Sequence, residues 1–76
     1  MKLDPIREER ARRMVLDPTT WPMNYLCMKR VGVTFEFGII ASDVKPNHIV
    51  ITNRQFQPIV TFNSIDELVE ANWTVD

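Results

Sequence analysis

Val33-Thr34-Phe35-Glu36-Phe37-Gly38-Ile39 is the stretch on which the fold turns. Large apolar residues recur there with a period of two, the side-chain period of a strand with one dry face and one wet one. Read this way, Val33, Phe35, Phe37 and Ile39 face the core, and Thr34, Glu36 and Gly38 face the other side. Before this run, Val31-Gly32 supplies a tight turn. Asn24 to Arg30 then reads as a partner strand, with Tyr25 and Cys27 on one face and Leu26 and Met28 on the other. After it, Ser42 to Asn47 is turn chemistry around Pro46-Asn47. His48 to Thr52 is β-branched and strand-like, Asn53-Arg54-Gln55 breaks it, and Ile59 to Phe62 is a fourth strand. Every link between these strands is short, which predicts an antiparallel meander.

Helices flank the strands. Asp4 is a good N-cap and Pro5 suits the first helical position, so residues 5–16 read as a helix with an apolar stripe of Leu3, Ala11, Met14 and Val15, and Ile6 beside it. Glu8 with Arg12 and Glu9 with Arg13 are favourable i,i+4 pairs. Asp17-Pro18 ends the helix, because a residue before proline is pushed out of the α region. At the other end, Ser64 and Glu67 form a capping box for a short helix over about 65–71. Asn72 suits its left-handed terminus, and Trp73 and Val75 return to the core. The expected fold is therefore α+β: an N-terminal helix, a four-stranded antiparallel meander and a short C-terminal helix, in one domain over residues 1–76. The helices should cover one sheet face and leave the other partly bare.

Composition narrows the function. The chain has 76 residues, 45% hydrophobic and 25% charged, which is globular rather than disordered. One cysteine and one histidine leave no internal disulfide and none of the familiar Cys/His zinc sites. A core without staples suits a reducing cytoplasm, and no apolar run reaches membrane-spanning length. The net charge of −1 splits unevenly: residues 1–30 hold seven Lys/Arg and four Asp/Glu (+3), whereas residues 31–76 hold two and six (−4).

Catalysis finds little support in the residues. His48 opens a strand without a nucleophile at a recognisable spacing, and Cys27, in an apolar strand, reads as a small buried hydrophobe. Asp66, Glu67 and Glu70 complement the dipole of a short helix. With only Gly32 and Gly38 there is no phosphate-cradling loop, so no cofactor is expected. Arg7, Arg10 and Arg13 recur along one side of the first helix, and Lys29-Arg30 closes the first strand. Together they form the basic patch, suited either to an acidic protein surface or to phosphates. Trp21, Met23, Tyr25 and Phe56 are interface-type residues in or beside loops, although Trp21 reads equally well as core.

Asp17-Pro18, Trp21-Pro22 and Lys29-Arg30, with the terminal Asp66-Glu67-Leu68-Val69-Glu70 and Trp73-Thr74-Val75, resemble a pattern in small bacteriophage and prophage proteins. The resemblance covers the two ends of the chain better than residues 31–60. It implies a cofactor-free protein that binds one host protein and alters it, with host RNA polymerase, nucleases and defence complexes as the usual targets. A transcription inhibitor or antiterminator is the specific expectation, with Arg7, Arg10, Arg13, Trp21, Tyr25, Lys29 and Arg30 as contact residues. The alternatives are a nucleic-acid-binding module using the arginine helix and a structural or assembly protein.

Overall fold

A computed structural model of the chain describes residues 3–32 and 36–76. Asp4 starts helix α1 (Pro5–Met14): its carboxylate accepts from the Arg7 N–H at 2.9 Å, and Pro5 fills the first helical position. Ala11 and Val15 are fully buried, Leu3 and Met14 lie against the core, and Ile6 stays exposed. The helix stops at Met14, two residues short of the expected end, and Asp17 caps a 3-10 turn over Pro18–Thr20. Trp21 then closes the helix end. Its indole Nε1 donates to the Met14 carbonyl at 2.6 Å, beside the Asp17 N–H that donates to the same oxygen at 3.0 Å, and the ring is buried.

The strands are β1 (Tyr25–Arg30), β2 (Glu36–Ala41), β3 (Ile49–Thr52) and β4 (Pro58–Phe62), followed by helix α2 (Ile65–Glu70) and β5 (Trp73–Val75). Among the described residues the sheet has five antiparallel strands in the order β4-β3-β2-β1-β5, not the expected four. The fifth arises where only a return to the core was expected. Asn72 adopts a left-handed conformation (φ 67°) and turns the chain out of α2, so that Trp73 to Val75 pair with Arg30 to Met28. At the start of α2, the Glu67 N–H donates to the Ser64 hydroxyl, while the Glu67 carboxylate reaches back to the Asn63 N–H rather than to that of Ser64.

The inner sheet face carries Leu26, Met28, Ile40, Ile49, Ile51 and Val75, covered by Ala11 of α1, Val15 at its end, and Leu68 and Val69 of α2. Burying each of these Ile, Leu or Met side chains contributes roughly 1.5–3 kcal/mol. Here the face expected for the central run reverses at Phe37, although Ile39 on the same side is buried as expected. Cross-strand partners share a face, and Leu26 and Met28 of the core stand opposite Ile40 and Gly38. Phe37, opposite Lys29, therefore points outward and is 61% exposed. Gly38, assigned outward by alternation, is on the core side. Its missing side chain makes room for Ile51, whose Cγ2 would clash with a Cβ there. Val33, Thr34 and Phe35 lie outside the described residues. No helix among the described residues is long and apolar enough to cross a membrane.

Candidate protein-binding surface

Alternation sends a second set of side chains to the outer face: Tyr25, Cys27 and Lys29 of β1, Phe37, Ile39 and Ala41 of β2, and Val50 and Thr52 of β3. Leu68 and Val69 of α2 and Ala11 of α1 pack on the other side, and α1 reaches this one at Thr74 of β5, which leaves Phe37 exposed. Cys27, expected to be a buried hydrophobe, is half-buried here because the core positions of its strand are Leu26 and Met28. One depression has Cys27 and Ile39 in its lining, with Phe37 and Asn53 to Gln55 around them. A second is lined by Ala41, Val50, Thr52 and Phe56.

The loop between β3 and β4 is built around Asn53. Its side-chain oxygen accepts from the N–H groups of Gln55 (2.9 Å) and Gln57 (3.0 Å), and its amide nitrogen donates to the Gln57 side chain (2.9 Å). The backbone closes the same loop through Asn53 N–H to Gln57 O and Phe56 N–H to Asn53 O. Within it Phe56 is left-handed, at φ 61°, and 62% exposed. That conformation costs a residue with a Cβ roughly 1–2 kcal/mol, and the ring recovers little of it by burial. Strain held in place by a local hydrogen-bond network, on an exposed aromatic, points toward function.

The outer face runs into a basic corner. Phe37, Lys29 and Thr74 form one row across β2, β1 and β5. Thr74 is fully buried, and its hydroxyl donates to the Arg7 carbonyl at 3.1 Å, tying α1 to the sheet edge. Arg7, Arg10 and Lys29 thereby border one depression with Asp4, Ile6 and Asp76. Lys29 Nζ lies 3.8 Å from the Asp76 carboxylate and Arg7 Nε 3.7 Å from that of Asp4. Arg10 has no carboxylate partner among the described residues.

No protein-family model, curated protein or solved structure matches this chain. The surface must be judged on its own geometry.

The structure does not gather the seven contact residues expected from sequence into one patch. Arg7, Arg10 and Lys29 meet at the corner. Tyr25 is half-buried on the outer face, at the opposite end of β1 from Lys29. Arg13 pairs with Glu9 at 3.6 Å. Arg30 follows Lys29 in a strand and so points to the opposite face, where it donates to Glu36 (2.9 Å) and the Ala71 carbonyl (3.2 Å). Trp21 takes the core reading. Arg12, which sequence reading treated only as a local pair, bridges Glu8 (3.2 Å) and Asp66 (2.6 Å) and ties α1 to α2. Its hydrogen bonds, to Asp66 first and then Glu8, raise the guanidinium pKa further. Phe37 and Arg54 are the surface residues that sequence reading did not select. The signal for Phe37 was Gly38, which in an alternating run marks the side where another backbone or side chain comes close.

Proposed function

We propose that this chain is a non-enzymatic binding protein that docks a second protein on its outer sheet face. The observation that carries the reading is the pair Phe37 and Phe56, two aromatics each more than 60% exposed beside an apolar floor of Ile39, Cys27 and Val50. Aromatic anchors ringed by Arg and Lys are the composition of an interface centre and its rim. Lys29, Arg7, Arg10 and Arg54 favour an acidic partner surface and speed the encounter. Following the resemblance to small phage proteins, the partner is a host protein. The first candidate is the transcription machinery, with the chain acting on RNA polymerase as an inhibitor or antiterminator by occluding a surface.

The test measures binding of the purified chain to bacterial RNA polymerase, with transcription assayed in parallel. Phe37→Ala and Phe56→Ala should each weaken binding by at least ~2 kcal/mol if they are anchors. Arg10→Glu should mainly slow association. Undiminished binding by both phenylalanine variants would place the contact elsewhere. The basic corner favours a second reading, nucleic-acid binding. That mode would lose affinity log-linearly with salt and would not respond to Phe37→Ala.

A further inference from the structure

The two edges of the sheet are not alike. At β5 the edge is occupied by α1, fastened through the Thr74 hydroxyl to the Arg7 carbonyl. At the other edge, β4 (Pro58-Ile59-Val60-Thr61-Phe62) pairs only with β3. Among the described residues, Pro58 to Phe62 make no backbone hydrogen bond beyond that pairing. Such an edge is a template for another strand, and proteins usually guard it with charge, proline or a bulge. Here the guards stand at one end only: Pro58 opens the strand, and the register shifts between Ile51 and Thr52. The rest is uncharged and mostly β-branched, with Ile59 and Thr61 exposed.

We infer that β4 is a self-association edge, pairing antiparallel with β4 of a second copy of this chain about a two-fold axis at Val60. The charge layout selects this occupant and this direction. Arg54 precedes the strand and is exposed, while Asp66, Glu67 and Glu70 follow it, all exposed. Antiparallel pairing sets the Arg54 end of each copy beside the acidic end of the other, twice by symmetry. Parallel pairing would set like against like. Within the paired stretch Val60 stands opposite Val60 of the second copy and no like charges meet. An axis perpendicular to the sheet also leaves both outer faces on one side, giving a continuous sheet with two Phe37/Phe56 surfaces.

Sedimentation equilibrium of the full chain from micromolar to millimolar concentration tests this, together with amide exchange at the same concentrations. A dimer should form, and the amides of Ile59 to Phe62 should exchange more slowly as it does. Thr61→Lys, at an exposed site, should raise the dimer dissociation constant at least ~10-fold, the equivalent of about 1.4 kcal/mol, with the circular dichroism spectrum unchanged. Phe37→Glu should leave it unaltered. A monomer at millimolar concentration would overturn the inference. So would a dimer dispersed by Phe37→Glu but not by Thr61→Lys, or protection of the β4 amides only on addition of a different protein.

Discussion

Gly38→Ala is the most informative single change to the fold, because the effect can be worked from what an added methyl would meet. A Cβ at Gly38 would overlap Ile51 Cγ2 and lie 3.0 Å from the Thr52 carbonyl oxygen. Neither neighbour has room to yield. Ile51 is fully buried among β2, β3 and β4, and the Thr52 oxygen is backbone in a strand. Overpacking of this kind costs about 1–3 kcal/mol. Alanine also restricts the unfolded chain relative to glycine, which offsets about 0.4–1 kcal/mol. The net expectation is a loss of about 1–2 kcal/mol. A 76-residue domain has a stability of roughly 4–11 kcal/mol, so this loss should lower the melting temperature by roughly 4–16 °C. Chemical denaturation read by tryptophan fluorescence is the assay, since Trp21 and Trp73 are both buried. Ile51→Leu supplies the control: it removes Cγ2 while keeping the volume. In the Gly38→Ala background it should cost less than alone, with a coupling of at least ~0.5 kcal/mol. A Gly38→Ala variant as stable as wild type would refute the inward placement of Gly38, and with it the assignment of the two sheet faces.

Phe37→Ala should change stability by no more than ~0.5 kcal/mol, as an exposed site does, whereas Ile40→Ala, at a buried site of the same strand, should cost about 2–5 kcal/mol; paired urea melts compare them. Trp21→Phe should cost about 1 kcal/mol, because it chiefly removes the indole donor to the Met14 carbonyl. Trp21→Ala should cost about 3–5 kcal/mol, and an intact fold after that change would return Trp21 to the surface.

Much of the fold was legible because its signals are local. Asp4-Pro5 and Ser64 with Glu67 mark the helix starts through the backbone N–H groups they satisfy, and Asn72 marks the end of α2 through the one conformation it tolerates better than most residues. The strands follow from alternation and β-branching. What local reading missed is decided across the sheet. The strand nature of Trp73 to Val75 depends on the free edge of β1, where Met28, Lys29 and Arg30 offer their backbone. Likewise, Arg30 joins the opposite face from Lys29 by the geometry of successive strand residues, so a pair that looks like one basic cluster in sequence divides in space.

Alternation also defines two faces without saying which is inside. Size argued for Phe37, and that argument presumes that the larger side chains earn the core. Register reverses it. Leu26 and Met28 are buried, so their partners Ile40 and Gly38 must share their side, and Phe37, the residue before Gly38, is forced out. The same geometry hid the candidate surface. A residue assigned to the core is not considered as a contact, and the arginines of α1, visible in sequence by their spacing alone, drew attention to the helix instead. Yet the helix and the outer face meet at Lys29 and Thr74, where Arg7 is anchored to the sheet. The basic corner is therefore the margin of the surface that carries Phe37. Variants at Arg10 should alter how fast a partner arrives, and variants at Phe37 how long it stays.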